Sequence, residues 1–404
     1  MPATLRHVAV VGLGFVGGAT ARYLAAAGMA VHGYDRSERA VQAAREALSR
    51  ELDADASWEV GTDPQLVGAA EAIFVAVRLT RDQEGRFATE PLEEVAAMLR
   101  RHGEDGQLVL IESTLPPGTT RRFASWLDRP GIEVAHAPER LRVGDADLAL
   151  RSVPRLVGGL TARATERGCA LLAEAGLRPV PVSAPEVSEL AKLFENAFLT
   201  TNIALVGEIT KLALSLGVSA HEVTGAAATK PHGFMAFHPG AGIGGHCLRN
   251  DLDLLRQTGA GLGLEAPMLD GIAEVAGALP RLVVERLRGC CELAAARVVL
   301  VGVGFKPGSA DLTETPAEPV CRLLRAAGCA VSYLDRLVPQ LVVDGEPVPR
   351  IAPDHIAGLA ADAIVVLSGD AELAVEELRA TGARLLDAGG GATMRGVWRA
   401  DERL

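Results

Sequence analysis

Residues suited to carbonyl chemistry are concentrated between positions 188 and 255. Lys192 and Asn196 are four residues apart in a segment of helical periodicity, so they share one helix face. Cys247 ends the glycine-rich run G-A-G-I-G-G-H-C, and Asp251 follows four residues later. A thiolate there could attack an aldehyde, while an ammonium and an amide stabilise the resulting oxyanion. Asp251 could orient a water molecule or accept a proton.

Each of these residues has a simpler explanation when it is taken alone. A cysteine is often a small core residue, a helix lysine is usually a solvated charge, and His246 could be structural. Only the combination of Lys192, Asn196, Cys247 and Asp251 predicts a site.

A second segment is suited to binding a dinucleotide. The run G-L-G-F-V-G, Gly12 to Gly17, follows an apolar strand and precedes an alanine-rich helix. Gly12 would permit the tight turn, Gly14 the close approach of a pyrophosphate, and Gly17 close packing of helix on strand. Asp35 ends the next strand and would bind the ribose hydroxyls, which favours NAD over NADP, although the adjacent Arg36 weakens that distinction. The simpler alternative is a structural strand–helix turn. The predicted cofactor-binding residues here are Gly12, Gly14, Phe15, Val16, Gly17, Asp35 and Arg36.

The elements that must position these residues follow an α/β pattern. Hydrophobic residues make up 49% of the 404 residues and aromatics only 4%, which suits layered helix–sheet packing. Two segments, His7–Asp35 and Arg297–Asp335, share a strand, a glycine turn, a helix and a second strand, so each predicts a βαβ unit. Further strands are predicted at Ala72–Val77, Leu108–Glu112, Arg155–Val157, Ala363–Leu367 and Arg384–Leu386.

Helical periodicity dominates the middle of the chain. Helices are predicted over Glu186–Leu216, Ala220–Ala228 and Asp270–Cys290, with an ordered loop over Pro231–Cys247. The predicted fold is therefore two Rossmann-like doubly wound α/β domains, residues 1–185 and 291–404, joined by a central helical region, residues 186–290, that carries the cysteine loop.

Composition excludes several classes of function. A net charge of −11 and a pI near 5.4 disfavour a nucleic-acid partner. The N-terminus lacks signal-peptide features, and no apolar run of about 18 residues predicts a membrane span. The six cysteines form no C-x-x-C pair, so no metal site is predicted, and a cytoplasmic location with reduced thiols is expected.

The chain resembles the UDP-glucose/GDP-mannose dehydrogenase family, most closely its UDP-N-acetyl-hexosamine branch. The resemblance covers nearly the whole chain, and its motifs occur in the family's order. They are G-L-G-F-V-G (12–17), S-T-L-P-P-G-T-T (113–120), A-P-E-R (137–140), E-L-A-K-L-F-E-N (189–196), T-K-P-H-G-F-M (229–235), P-G-A-G-I-G-G-H-C (239–247) and G-V-G-F-K-P-G-S-A-D (302–311).

The resemblance implies NAD as cofactor, a nucleotide-sugar substrate, a homodimer and a place in sugar-nucleotide or polysaccharide biosynthesis. It assigns Cys247 as the nucleophile, Lys192 and Asn196 as the oxyanion-stabilising pair, and Glu139 to thioester hydrolysis. Thr114 would hold the water that hydrolyses the thioester and would also contact the cofactor. Asp251 would act near that water. The substrate-binding residues implied are Glu139, Arg140, Lys192, Asn196, Phe237, Gly240, Gly242, Gly245, Phe305 and Lys306.

The implied reaction oxidises the sugar C6 hydroxymethyl group to a carboxylate in two steps. Lys192, or Asp251 acting through water, helps to remove the hydroxyl proton. Cys247 captures the bound aldehyde as a thiohemiacetal, a second oxidation gives the thioester, and water then releases the uronate.

The first part of the chain departs from the family pattern at three places. The V-P-T-P stretch is Val75-Ala76-Val77-Arg78, and a second acid is replaced by Val143. The Asn-Glu pair of the middle helix is Gly207-Glu208, which suggests close packing against the glycine.

The C-terminal part departs most. The arginine of D-x-R-E-S/T-P is Thr313, the D-x-R-N signature is Asp387-Ala388-Gly389-Gly390, and the D-P pair is Asp335-Arg336. The resemblance implies a substrate of the UDP-hexose or UDP-N-acetyl-hexosamine type. Arginine is the usual bidentate partner of phosphate, so an atypical nucleotide sugar is an alternative substrate. Two alternatives remain: a catalytically altered or silent sugar-nucleotide binder, and a two-electron dehydrogenase of the 3-hydroxyacid or 6-phosphogluconate type. The latter requires neither Cys247 nor the second βαβ unit.

Overall fold

The structure, a computed structural model, describes residues 6–53, 55–82, 85–140, 152–352, 355–356, 360–369 and 373–389. It divides into two compact units, Met1–Glu195 and Asn196–Leu404. Val143 and Gly390, at which the sequence departs from the family pattern, lie outside the described residues.

The first unit is built on an eight-stranded sheet in the order β10-β9-β8-β7-β4-β1-β2-β3. The central strands β1, β4 and β7 are buried along almost their whole length, as expected of parallel strands covered on both faces. The strands are β1 (His7–Val11), β2 (Ala30–Tyr34), β3 (Trp58–Gly61), β4 (Ala72–Val75), β7 (Leu108–Ile111), β8 (Glu133–His136), β9 (Arg155–Gly159) and β10 (Pro179–Pro181), with β5 (Thr80–Arg81) and β6 (Phe87–Ala88) forming a separate hairpin.

Amphipathic helices connect the strands of this sheet. They are α1 (Phe15–Ala26), α2 (Glu38–Glu51), α3 (Glu90–His102), α4 (Thr119–Leu127) and α5 (Ala162–Glu174), with a short 3-10 helix at Pro64–Val67. Their apolar faces, such as Val41, Ala44 and Leu48 of α2, pack into the core around the sheet.

Helix α6 (Pro185–Leu216) begins in the first unit and continues into the second. The other helices of the second unit are α7 (Ala220–Ala228), α8 (His246–Gly261), α9 (Pro267–Arg288), α10 (Ala317–Ala326) and α11 (Val375–Arg379). Its parallel sheet has the order β15-β12-β11-β16-β17. These strands are β11 (Arg297–Val301), β12 (Ala330–Leu334), β15 (Arg350–Ile351), β16 (Ala363–Val366) and β17 (Arg384–Asp387), and β13 (Val342–Val343) pairs with β14 (Glu346–Pro347).

The predicted α/β fold with two parallel-sheet regions and an intervening helical segment is confirmed, with local corrections. Strand β4 ends at Val75 rather than Val77, β9 ends at Gly159 rather than Val157, and helix α9 spans Pro267–Arg288 rather than Asp270–Cys290. The predicted loop ends at Gly245, because helix α8 begins at His246 and takes Cys247 into its first turn. Strand β9 runs antiparallel to β8, so the first sheet is mixed. The predicted domain boundaries stay predictions.

The close packing expected at Gly207 is confirmed. A Cβ atom at this position would lie 2.3 Å from Leu279 Cδ2. Glycine therefore leaves room on α6 for the Leu279 side chain of α9.

One described helix, α6, is long and apolar enough to cross a membrane, with a mean hydropathy of 1.3 in its most apolar window. Length and composition alone are weak evidence for a membrane span, because the core helix of a soluble protein passes the same test.

Candidate active site

The first glycine turn has the geometry expected of a phosphate cradle. Gly12 has φ +90°, and a Cβ there would meet the Ala76 carbonyl oxygen at 2.9 Å. A Cβ on Gly17 would lie 1.7 Å from the Gly12 oxygen, so only glycine lets α1 start this close to β1. Gly14, the N-cap of α1, has nothing within 4 Å of its Cβ position, which leaves its surface open to a ligand at the helix N-terminus.

Three further residues predicted to bind the cofactor lie around this turn. Asp35 accepts hydrogen bonds from the backbone N–H groups of Leu13 and Ser37, both at 2.8 Å, which fixes its carboxylate beside the turn. Phe15, the first residue of α1, is 68% exposed and leaves its ring accessible beside the turn. Arg36 forms an exposed ion pair with Glu94. The residues present fit NAD, with Gly14 and the start of α1 at its pyrophosphate and Asp35 at its ribose.

The second glycine turn shares part of this arrangement. The Asp335 carboxylate accepts hydrogen bonds from Val303 N and Leu337 N, as Asp35 does from Leu13 N and Ser37 N, and it accepts two more from Gly304 N and Val338 N. Residues 302–316, all of them described, contain no helix, and α10 begins only at Ala317. The second βαβ unit therefore lacks, directly after its turn, the helix N-terminus that a pyrophosphate would use.

The segment that carries Thr114 is held by the first turns of α6. Buried Glu189 accepts hydrogen bonds from Gly118 N (2.6 Å) and Thr120 N (2.7 Å), which caps helix α4. Ser188 Oγ lies 2.8 Å from His136 Nδ1, and His136 Nε2 lies 3.1 Å from the Ser113 carbonyl oxygen. Burial lowers the pKa of His136 to about 4, so the ring is neutral near pH 7.

Two predicted site residues in the first unit have polar groups available for a ligand. Thr114 and Lys192 are both half-buried. Within the described part of the chain, no hydrogen bond or ion pair involves the Thr114 hydroxyl or the Lys192 ammonium. Each therefore retains its donors for substrate, cofactor or water.

Glu139 and Arg140 follow strand β8, and both are held by charged partners. Arg155 donates to Glu139 at 2.5 Å, and Arg140 N donates to the same carboxylate at 2.7 Å. The Arg140 guanidinium binds Glu195 through Nε and Nη2 and the Pro154 carbonyl through Nη1. Arg140 thus has a structural role, and its contact with substrate stays a prediction.

The second unit brings Cys247, Asn196 and Asp251 into one region. Cys247 is exposed and is the second residue of the 16-residue helix α8, a position whose N–H groups and dipole favour a thiolate. Asp251 lies one turn further along α8 and is buried. Asn196 Nδ2 donates to Asp251 Oδ2 at 2.5 Å, so the predicted amide and acid are hydrogen-bonded partners.

The loop before Cys247 is fixed by contacts within the second unit. Gly240 forms a β-bridge with Gly389, and Gly245 N donates to the Thr313 carbonyl at 3.0 Å. A Cβ on Gly245 would meet the Phe305 ring at 2.9 Å, so glycine allows the ring to pack on the loop. Of the other residues implied to bind substrate, Gly242 has φ +146°, Lys306 Nζ lies 5.5 Å from the Phe305 ring centroid, and Phe237 packs edge-on against Phe198.

The side chain of Thr313, which replaces the family's arginine, is hydrogen-bonded to a neighbouring residue. Its Oγ1 donates to Asp311 Oδ1 at 2.6 Å, and its N–H donates to the same oxygen at 2.8 Å. The next residue, Glu314, has φ +49°, a left-handed conformation that is uncommon for a residue with a side chain. This segment therefore presents no guanidinium at the position where the family has one.

Sequence reasoning missed a buried charged network in the first unit. Arg155 pairs with Glu112 at 2.7 Å as well as with Glu139, and Glu112 accepts from Thr20 Oγ1 at 2.6 Å. Glu112 and Arg155 entered the sequence analysis only as strand ends. The available signal was a charged residue directly bounding an apolar strand in each case.

Comparison with known proteins gives matches along most of the chain. Residues 6–175 match the model of the NAD binding domain of the UDP-glucose/GDP-mannose dehydrogenase family, and residues 186–276 match that family's central domain. A UDP-N-acetyl-D-mannosamine dehydrogenase from Methanocaldococcus jannaschii is 28% identical over 82% of this chain and 79% of its own length.

Two further proteins show the same similarity. An NDP-N-acetyl-D-galactosaminuronic acid dehydrogenase from Ralstonia solanacearum is 27% identical over 79% of this chain and 80% of its own length. The solved structure of a UDP-glucose dehydrogenase from Pyrobaculum islandicum superposes with a TM-score of 0.82 at 26% identity, covering 100% of this chain and 97% of the other.

Proposed function

This chain belongs to the UDP-glucose/GDP-mannose dehydrogenase family, and from that premise we propose that it oxidises the C6 hydroxymethyl group of a nucleotide sugar to a carboxylate through a thioester on Cys247. It is an NAD-dependent oxidoreductase. The observation that carries the proposal is the exposed thiol at the start of α8, one turn from an Asp251 carboxylate that is hydrogen-bonded to Asn196. NAD, when bound, accepts two electrons in each of the two oxidation steps.

The chemistry of the residues supports a division of roles. Lys192 carries a half-buried ammonium that can stabilise an alkoxide, and the Asn196 amide can donate to the same oxygen. The Cys247 thiolate adds to the aldehyde carbon and forms a thiohemiacetal. Oxidation of that adduct gives a thioester.

Hydrolysis of the thioester requires an activated water. Glu139 is the proposed base, Thr114 holds the water through its available hydroxyl, and Asp251 takes part in proton transfer. The carboxylate leaves as the sulfur regains a thiolate, which is a good leaving group. The retained cysteine explains why four electrons, rather than two, are removed from one carbon.

The relatives narrow the substrate class. Proteins named for UDP-N-acetyl-D-mannosamine and for an NDP-N-acetyl-D-galactosaminuronic acid are similar to this chain, and Val143 replaces an acid that some family members carry. We propose a nucleoside diphosphate N-acetyl-hexosamine as substrate. The absence of arginine at Thr313 favours a nucleotide contact unlike the family's usual one.

The experiment that tests this function counts NADH per sugar nucleotide consumed. UDP-glucose, UDP-N-acetylglucosamine, UDP-N-acetylmannosamine and GDP-mannose would each be incubated with enzyme and excess NAD. Two NADH per sugar and an acidic product support the proposal and identify the substrate. One NADH would refute the four-electron reaction.

The second candidate is a protein that binds a sugar nucleotide without oxidising it. Thr313 favours this candidate, because it replaces the family's arginine and its hydroxyl is hydrogen-bonded to Asp311. Calorimetry distinguishes it, because a silent binder would take up one of these nucleotides without any NADH formation. The retained Cys247, Asn196 and Asp251 argue against it.

We propose that the protein forms a homodimer and that it is located in the cytoplasm. Leu205, Leu212 and Leu216 of α6 are 56%, 60% and 77% exposed and lie on one side of the helix. An apolar stripe of this kind is suited to burial against a second copy. Light scattering would give twice the chain mass of 42.1 kDa if the proposal holds.

A further inference from the structure

A row of buried charges lies beyond the carboxyl ends of two neighbouring strands in the first unit. Glu112 follows β7, Glu139 follows β8 by three residues, and Arg155 is the first residue of β9. The Arg155 side chain is 4% exposed, Glu112 is fully buried and Glu139 is 14% exposed. Only Glu139 among them reaches the surface, so only Glu139 can meet a ligand.

The reversed direction of β9 is what brings Arg155 to this edge. Strand β9 pairs antiparallel with β8, in the register His136 to Gly158. Extending that register places Arg155 opposite Glu139, beside the end of the sheet where β7 and β8 finish. In a parallel strand the first residue would lie at the opposite edge, far from Glu139.

Arg155 is held at both ends of its guanidinium. Nη1 donates to Glu112 at 2.7 Å and Nη2 donates to Glu139 at 2.5 Å. Glu112 is anchored in turn by Thr20 of α1, the helix that begins at the first glycine turn. Buried Tyr23 of α1 also faces these groups, and burial together with Glu112 raises its pKa, so it stays neutral.

The charges explain which carboxyl carries a proton. Two carboxylates and one guanidinium would leave a net negative charge in a buried site, which is costly. Burial, opposed by Arg155 and reinforced by Glu139, raises the pKa of Glu112 to about 7. The Glu112 carboxyl is therefore protonated below neutral pH, and Arg155 donates its other hydrogen bond to Glu139.

We propose that Arg155 is a positioning residue that holds Glu139 as an oriented carboxylate for thioester hydrolysis, with Glu112 and Thr20 fixing Arg155 in place. The proposal rests on the function proposed above. It assigns Arg155 no contact with substrate, and it accounts for an arginine buried between two acids next to a predicted catalytic base.

The test is Arg155→Lys, which keeps the positive charge but cannot bridge two carboxylates as a planar fork does. We expect kcat to fall at least about tenfold, NAD affinity to stay within about twofold, and an acyl–enzyme adduct on Cys247 to accumulate in intact-mass spectra. NADH should appear as a burst of two per active site before slow turnover. The matched control is Arg167→Lys. Arg167 also pairs with a glutamate, Glu133, but is more exposed than Arg155, so this variant should behave as wild type.

A double-mutant cycle separates positioning from general destabilisation. If Arg155 acts through Glu139, then adding Arg155→Lys to Glu139→Gln slows hydrolysis no further. Additive losses, or slower NADH formation without an adduct, would overturn the proposal. Wild-type enzyme that makes one NADH per sugar would instead refute the thioester route itself, and the proposal would fall with it.

Glu112→Gln provides a second variant should Arg155→Lys fail to fold. Because the glutamine side chain cannot ionise, the hydrolysis rate of this variant should lack an ionisation near pH 7 that the wild type shows. The groups facing Glu112 are Arg155, Glu139, Tyr23 and Thr20, and all four are unchanged in this variant. Identical pH profiles for the two proteins would contradict the proposed role of Glu112.

Discussion

Replacing Gly14 with alanine should weaken NAD binding without destabilising the protein. Gly14 has φ −66°, which alanine adopts freely, and nothing lies within 4 Å of the Cβ position. Alanine restricts the unfolded chain, which stabilises by about 0.4–1 kcal/mol, whereas its poorer capping costs a similar amount. The net change in the free energy of unfolding should therefore be below about 1 kcal/mol.

The effect on the cofactor follows from the same geometry. A methyl group on Gly14 would fill the space from which a pyrophosphate approaches the first N–H groups of α1. Loss of one hydrogen bond to a charged group corresponds to about 1.5–3 kcal/mol, or roughly a ten- to hundredfold weaker Kd for NAD. Calorimetric titration with NAD and urea unfolding measure the two quantities separately.

Two neighbouring glycines provide controls on the same helix. A Cβ on Gly18 would make an ordinary 3.6 Å contact with Leu13 O, so Gly18→Ala should retain both stability and NAD affinity. A Cβ on Gly17 would collide with the Gly12 oxygen at 1.7 Å, so Gly17→Ala should lose stability by about 1–3 kcal/mol or more. Wild-type NAD affinity in Gly14→Ala would refute the assignment of the pyrophosphate to this turn.

Three further predictions test the packing, the electrostatics and the acid beside the cysteine. Gly207→Ala should be less stable than Gly277→Ala by about 1–3 kcal/mol, because both variants gain the same helix propensity but only at Gly207 would the Cβ lie 2.3 Å from Leu279 Cδ2; urea unfolding of both variants checks this. Burial raises the pKa of Glu112 to about 7, so the stability it contributes is present below its unfolded pKa of 4.5 and is lost as pH rises through 7. The unfolding free energy of Glu112→Gln minus that of wild type should therefore increase by about 1.4 kcal/mol per pH unit across that window, and a constant difference would contradict the buried charge. Asp251→Asn should keep a hydrogen bond to Asn196 yet lower kcat by about 10²-fold or more, measured as NADH formation; unchanged kcat would remove Asp251 from the proton-transfer steps.

Local patterns in the sequence predicted the elements and several contacts correctly. The glycine spacing of residues 12–17 predicted the turn because a side chain at Gly12 or Gly17 would collide with nearby backbone atoms. Gly207 predicted close packing, and there the nearby atom belongs to the Leu279 side chain. Helical spacing identifies Lys192 and Asn196 as one pair, and the glycine-rich run identifies Cys247 with Asp251 four residues later. The structure places Cys247 and Asp251 on one helix and adds the direct bond between Asn196 and Asp251.

Features that depend on strand direction or on distant partners could not be predicted. Periodicity identifies Arg155–Gly159 as a strand but does not reveal that it runs antiparallel to β8, so the bridge from Arg155 to Glu112 and Glu139 stayed hidden. Asp335 resembles Asp35 in sequence context, yet its carboxylate accepts four backbone N–H bonds where that of Asp35 accepts two. The helical start at His246 also depends on how the preceding loop is held by residues more than 60 positions away.

The central claim is that oxidation proceeds through an acyl bond to the Cys247 sulfur. The most direct test measures the NADH formed per sugar nucleotide in wild type, in Cys247→Ala and in a Cys290→Ala control. Wild type and Cys290→Ala should form two NADH per sugar. Cys247→Ala, which lacks the nucleophile, should lose the second oxidation. Two NADH per sugar at the wild-type rate in Cys247→Ala would contradict the account.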